Sequence, residues 1–432
     1  MKYYSLNHPK EKVSFSKAVV NGIAPDRGLY FPENIPQLPA GFFKTIETMD
    51  LHEMALTVMK PFVEEDIPSK ELKTILERTL DFDFPIVPID SQIGSLELFH
   101  GPTLAFKDVG ARFMAQCLGY FNTRNKTQKV TVLVATSGDT GGAVANGFLG
   151  VEGIDVVILY PKGKVSEVQE LQLTTLGQNI SALEVDGVFD DCQNMVKTAF
   201  LDHKITTKRQ LTSANSINVA RWLPQMLYYF IAYKQLSTEK RPLVVSVPSG
   251  NFGNICAGMI AQKMGLPIDH FIASTNINDT VPTFLKTGTY TPVKAQPTLS
   301  NAMDVGDPSN FVRIQKIYSN TFEQLTQHLS AYRFNDDQTK KAMQDLYSKA
   351  AYISDPHGAV GYLGLKKYLE QHPEHYGLFL ETAHPVKFLD TVEKTLETKV
   401  VLPSKIKTLF EKKKTSVPIS NYEELKNYLL SS

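Results

Sequence analysis

The sequence predicts a three-layer α/β protein built on parallel sheet. Three observations carry this. Short β-branched runs alternate with amphipathic stretches over most of the chain. The runs are almost continuously apolar, as strands covered on both faces are. Two of them end in glycine-rich polar turns that lead directly into helical patterns, TSGDTGG (136–142) and SVPSGNFGN (246–254). A chain of 432 residues exceeds one ordinary core, so two or three domains are expected.

Strands are expected at 130–135, 155–160, 180–185, 243–248, 270–275 and 376–381. Helices are expected at 165–176 and 189–201, and from the second glycine turn through Met264. The helix behind Lys107 carries Val109, Phe113, Met114, Cys117, Leu118 and Phe121 on one face. A long helix after Asn218 shows the stripe Val219, Trp222, Leu223, Met226, Leu227, Phe230 and Ile231, with Pro224 inside it as a kink or a later start. Residues 1–90 mix short helical patterns with Pro and Gly, then pass through the connector DFDFPIVPIDSQIG. The expected division is an N-terminal domain at 1–91, a larger domain at 92–125 and 216–402, and a smaller inserted α/β domain at 126–215. Residues 403–432, with their charged FEKKKT run, read as a solvated appendage.

Lys+Arg and Asp+Glu each number 45, so no global field draws nucleic acid or an anionic membrane. Any anion must be held locally. The start shows no secretory pattern, no run reaches membrane-span length, and three scattered cysteines fit a reducing cytoplasm. No metal site is expected: no CxxC spacing occurs, and His372 and His375 flank Pro-Glu in a surface turn. His100, His357 and His384 read as turn or positioning residues.

The chemistry concentrates in three places. SVPSGNFGN can aim several backbone N–H groups at one anion beside a helix start. It is neither GxGxxG nor a P-loop. TSGDTGG has the same geometry, and its Ser137, Asp139 and Thr140 could instead cap the helix. Taken alone, each loop also reads as an unliganded turn; together they mark the crevice at the carboxyl ends of parallel strands. FHGPTLAFKDVGARF (99–113) brings Lys107 to a helix mouth through an apolar loop, where desolvation and the helix potential favour a neutral, nucleophilic amine. SANSINVAR (213–221) sets hydroxyls, amides and one guanidinium at a helix head. The stripe leaves Arg221 off the core face, free to reach a phosphate; capping by Asn218 and a surface ion pair for Arg221 are the alternatives.

FHGPTLAFKD, TSGDTGGAVA, NSINVAR, VPSGNFGN and ETAHP, in this order, resemble the threonine synthase family of fold-type-II pyridoxal 5'-phosphate enzymes, related to the tryptophan synthase β subunit. So do 14–36, STNINDTVP (274–282), TLSNAMDVGDPSN (298–310) and DPHGA (355–359). The resemblance implies two open, mostly parallel sheets flanked by helices, with an extra N-terminal domain. It implies that Lys107 carries the cofactor and that Gly250, Asn251, Phe252, Gly253 and Asn254 wrap its phosphate. Asp139 would approach its 3'-oxygen and the substrate carboxylate, and Thr382 its ring nitrogen. Ser137, Gly138, Thr140, Ser213, Asn215, Ser216, Asn218 and Arg221 would bind the substrate, O-phospho-L-homoserine, for conversion with water to L-threonine and phosphate. No obligate protein partner is implied. Another pyridoxal-phosphate lyase (a dehydratase or phospholyase) or a catalytically silent cofactor-binding protein are the alternatives.

Overall fold

A computed structural model describes residues 1–125, 129–236 and 238–431. Residues 126–128, where the smaller domain is expected to begin, lie outside the described residues. The described strands form three sheets. The largest has six strands in the order Leu329–Arg333, His270–Thr275, Leu243–Pro248, Tyr376–Glu381, Ile93–Glu97, Ile86–Pro88. It is parallel except at the last pair. The second has five parallel strands in the order Val417–Ile419, Ile180–Val185, Ile154–Pro161, Val130–Ala135, Gln210–Thr212. A small antiparallel sheet joins Lys12–Val13, Tyr3–Ser5 and Tyr30–Pro32. Among the described residues, no helix is long and apolar enough to cross a membrane.

The central strands stand where their apolar runs place them. Val130–Ala135 and His270–Thr275 are buried along their whole length, as strands covered by helices on both faces must be. The lysine helix spans Lys107–Asn125, with Val109, Phe113, Met114, Cys117 and Leu118 buried. The stripe after Asn218 is broken: Val219–Trp222 is α-helical, Leu223–Met226 is a 3-10 turn, and Leu227–Gln235 is α-helical again. Pro224 has no N–H to continue the first helix, so the chain tightens and restarts.

Two expectations are corrected. The connector before residue 91 is an edge hairpin: Ile86–Pro88 pairs antiparallel with Ile93–Glu97. The N-terminal segment also shares the main core, with Phe15 edge-on to Phe121 at 6.2 Å and Phe31 stacked on Trp222 at 6.3 Å. The second correction concerns residues 403–432, which are no solvated appendage. Val417–Ile419 completes the five-stranded sheet beside Ile180–Val185. Leu425 and Leu429 of helix Tyr422–Ser431 are fully buried in that sheet's core. Ile406 packs with Leu104, Val168 and Val386 beneath the lysine loop. The charges dominate the composition of this segment, but Ile406, Ile419, Leu425 and Leu429 are buried, while Phe410 and Val417 stay exposed.

A Leu425→Ala substitution should therefore cost about 2–5 kcal/mol in urea unfolding. A loss below about 0.5 kcal/mol, the range of surface substitutions, would mean that the segment is not part of the core.

Candidate active site

The lysine loop is fastened to the end of strand Tyr376–Glu381. Leu98 N–H donates to the Glu381 carbonyl (3.0 Å), Phe106 N–H to the Thr382 carbonyl (2.9 Å), and His384 N–H to the Leu104 carbonyl (3.0 Å). Tyr228, fully buried, donates its hydroxyl to the Phe106 carbonyl. Leu104 is held at φ 59, a left-handed conformation that an L-residue adopts at a cost. Asp108 is buried; one carboxylate oxygen accepts the Thr103 N–H at 2.9 Å and the other accepts the Thr103 hydroxyl. Gly101 lets the loop fold over it, since a Cβ there would lie 2.4 Å from the Asp108 carboxylate. These contacts leave Lys107 at the first position of its helix, half-buried, with Nζ 5.8 Å from the Phe106 ring centroid.

Burial lowers the Lys107 pKa from the ordinary lysine value. Asp139 opposes the shift, while Lys387 and Arg221 add to it. Those three partners identify the site's electrostatics. Asp139 opens helix Asp139–Phe148 and does not cap it. The N-cap is Gly138, and the Thr136 hydroxyl, two residues earlier, accepts the N–H groups of Gly138 (3.0 Å) and Gly141 (2.8 Å). The Asp139 carboxylate instead meets Lys387 Nζ at 2.8 Å and accepts from Gln169 Nε2 at 2.9 Å. Burial pushes the Asp139 carboxyl up, but Lys387 and Lys107, with the hydrogen bonds from Lys387 and Gln169, outweigh it and hold it below the usual carboxylate range. Asp139 is therefore a buried anion. Gly138 is required beside it: its φ is 137 and a Cβ would lie 2.4 Å from the Gln169 amide.

Lys387 is fully buried. Besides Asp139 it donates to the Thr103 carbonyl and to Gln172 Oε1, both at 2.8 Å. Sequence reading missed it, along with Gln169, Gln172 and Thr136. Its one signal was a lysine set between Val386 and Phe388, directly after ETAHP.

The glycine turn after Leu243–Pro248 is walled by the segment around Asn301–Met303. A Cβ on Gly250 would lie 2.9 Å from the Ala302 carbonyl oxygen and from Met303 Cα. Phe252 takes the left-handed φ of 59 that starts helix Gly253–Lys263, whose first-turn N–H groups face the turn. Asn251 is exposed and pinned through its carbonyl, which accepts the Asn310 N–H (3.2 Å) and side-chain amide (3.0 Å). Asn254 Oδ1 accepts the Tyr229 hydroxyl at 2.8 Å, while its amide nitrogen is buried without a partner. A Cβ on Gly253 would lie 3.7 Å from Ser216 Cβ, which brings the 213–221 segment to the edge of the turn.

That segment divides. Asn215 and Ser216 are half-buried, as are Ser137 and Thr140 at the start of helix Asp139–Phe148, and Ser213 is buried with its hydroxyl accepting the Asn215 N–H at 3.4 Å. Asn218 is fully buried and spent within the chain: its amide donates to the Val19 carbonyl (2.9 Å) and the Ser213 carbonyl (3.2 Å), and its oxygen caps Ala220 N–H (3.0 Å). Arg221 is corrected from a free side chain to a buried one, 2% exposed, with Nη1 on the Ala214 carbonyl. Its helix has only four residues, all buried, so no solvated face exists. Burial lowers the Arg221 pKa to about 10, still cationic at neutral pH, and its Nε has no partner.

The residues present fit pyridoxal 5'-phosphate. Lys107 has a lowered pKa, the Gly250 turn has room only for glycine, and Arg221 Nε is a buried donor without an acceptor. The Thr382 side chain is buried, and its hydroxyl makes no hydrogen bond within the chain among the described residues.

Because Asp139 is held below its ordinary value, its contribution to stability is present above about pH 4 and is lost as pH falls through the lower folded value. The stability gap between the unsubstituted chain and Asp139→Asn should narrow below about pH 4 in urea unfolding. A gap constant from neutral pH into that range would contradict an ionised Asp139.

Comparison with known proteins agrees with this geometry. The sequence model described as pyridoxal-phosphate dependent enzyme matches residues 95–377. Those described as threonine synthase N terminus and threonine synthase, C-terminal match 2–80 and 358–429. The chain is 45% identical over 433 residues to the threonine synthase of Buchnera aphidicola subsp. Baizongia pistaciae, covering 100% of both. It matches the crystal structure of threonine synthase from Escherichia coli with a TM-score of 0.92 at 42% identity, covering 100% of this chain and 99% of that one. It matches the pyridoxal-phosphate-bound threonine synthase from Brucella melitensis with a TM-score of 0.94 at 34% identity, over 100% and 99%. The chain belongs to the threonine synthase family of fold-type-II, pyridoxal-phosphate dependent enzymes.

Proposed function

We propose that the chain converts O-phospho-L-homoserine and water to L-threonine and phosphate. The observation that carries the reading is the position of Lys107, an amine of lowered pKa beside a buried anion–cation pair and fastened to the Thr382 strand end. Likeness to threonine synthases over the whole chain supports it. Three buried, free cysteines accord with a reducing cytoplasm.

In this reading Gly250, Asn251, Phe252, Gly253 and Asn254 hold the cofactor phosphate through backbone N–H groups and the helix potential. The Thr382 hydroxyl, buried at the strand end, would meet the ring nitrogen. When bound, pyridoxal phosphate supplies the electron sink that makes the substrate's Cα proton removable. Lys107, the residue that would hold the cofactor, would then be placed to take the substrate's Cα proton and later return it. Its lowered pKa keeps more of the amine neutral for this task.

Asp139 has one role narrowed by its charge. As an anion it repels the substrate carboxylate, so its place is beside a donor on the cofactor's 3'-oxygen side. The carboxylate then falls to Ser137, Gly138 and Thr140 at the start of helix Asp139–Phe148, where N–H groups and helix potential favour an anion. Ser213, Asn215 and Ser216 line the segment nearest the glycine turn and take the substrate phosphate. Arg221 adds positive potential from below through its unpartnered Nε, and Asn218 sets the curve of that segment.

Purified protein supplied with O-phospho-L-homoserine should release threonine and phosphate in equal amounts, with no 2-oxoacid or ammonia. Lys107→Ala should lower turnover by about 10²–10⁴-fold or more. Release of a 2-oxoacid would identify a dehydratase or related lyase instead, and absence of phosphate release would indicate a silent cofactor-binding protein.

A further inference from the structure

Far from the carboxyl ends of the strands, the turn that links helix Pro356–Leu369 to strand Tyr376–Glu381 brings together His372, Glu374 and His375. One ligand atom from each lies within 4.8 Å of the others. His375 is 6% exposed, and its Nδ1 is buried without a hydrogen-bond partner. Its other ring nitrogen, Nε2, lies 2.9 Å from the Asp269 carboxylate. The tautomer that donates Nε2–H to Asp269 leaves the Nδ1 lone pair pointing outward. Glu374 Oε1 stands 2.9 Å from that lone pair and 3.7 Å from His372 Nδ1. Two acceptor atoms at this distance are joined by a proton or a metal cation, and the third donor atom, His372 Nδ1, points to a cation.

We propose that His372, Glu374 and His375 form a binding site for a divalent transition cation of the zinc class. With bonds of about 2.0–2.2 Å, a tetrahedral zinc ion separates its ligand atoms by roughly 3.3–3.5 Å. The observed 2.9 and 3.7 Å from Glu374 bracket that spacing, and the ligand atoms of His372 and His375, within 4.8 Å of each other, would draw together on an ion. Two imidazoles and one carboxylate, with solvent at a fourth position, suit zinc rather than calcium or magnesium. Asp269 supplies the carboxylate behind the histidine that orients a ligand ring and raises its basicity.

The ligands are held before any ion arrives. His372 is stacked on Tyr368 at 4.2 Å and 20°. Backbone bonds run from His372 N–H to the Leu369 carbonyl and from His375 N–H to the His372 carbonyl, both 3.2 Å. Gln92 donates its side-chain amide to the carbonyls of Pro373 (2.8 Å) and His375 (3.1 Å). A bound ion would staple the end of helix Pro356–Leu369 to the start of the strand whose other end precedes Thr382. The sequence alone argued against a metal here because it could not show that the Nδ1 of His375 is buried and unpaired.

Equilibrium dialysis of the full-length holoenzyme against zinc tests this. The chain should bind one zinc ion saturably through this turn. His372→Ala combined with Glu374→Gln, at a half-buried and an exposed position, should remove that ion, and Glu374→Gln alone, which leaves the stacking of His372 on Tyr368 intact, should weaken its binding. Asp269→Asn should keep the stoichiometry and weaken binding by about 10–100-fold. Zinc binding identical in the double variant, or no saturable binding by the unsubstituted chain, would overturn the proposal.

Discussion

One ammonium group joins the parts of this molecule that must act together. Lys387 follows the end of the strand Tyr376–Glu381 and sits fully buried. It donates to the Thr103 carbonyl of the lysine loop, to Asp139 at the head of a helix on the five-stranded sheet, and to Gln172 on the next helix of that unit. A cation in such a place is costly to desolvate and is kept only when its donors are all matched. The match here is three oxygens at 2.8 Å from three different segments. Losing any of them leaves a charge or carbonyl buried and unpaired.

The same node explains why the reactive lysine can be neutralised. Burial lowers the Lys107 pKa, and Asp139 acts against that shift. Lys387, paired with that anion, and Arg221 both add to the lowering, so the net shift of Lys107 is downward. The loop is rigid on the other side as well: the Thr382 and Leu104 carbonyls take N–H groups across it, and Ile406 from the far end of the chain packs under Leu104. Reactivity at Lys107 thus depends on three regions widely spaced in sequence.

Much of this was legible in the residues. The strand Leu243–Pro248 and the turn that follows it, the strand Tyr376–Glu381 and Lys107 at a helix mouth all follow from apolar runs that stop at glycine, proline or polar clusters. The short or half-exposed strands did not: Val417–Ile419 has three residues in a charged segment, Leu329–Arg333 is largely half-exposed, and Ile86–Pro88 carries two prolines nearby. Their existence depends on pairing partners far away. Arg221 and Asn218 were legible as a polar cluster but not as buried braces, because the apolar stripe does not show that the four-residue helix Val219–Trp222 is buried on every side. Lys387 was the largest omission, since one lysine in an apolar run carries no sign of three distant acceptors.

The central claim is that the buried ammonium of Lys387 holds Asp139 and the lysine loop together. A double-mutant cycle of Lys387→Met and Asp139→Leu, read by urea unfolding at neutral pH, tests it most directly. Lys387→Met alone should cost about 3–5 kcal/mol, and the double variant should be clearly less destabilised than the sum of the singles. A single-variant cost below about 1 kcal/mol, or a double variant that simply adds the two losses, would contradict it.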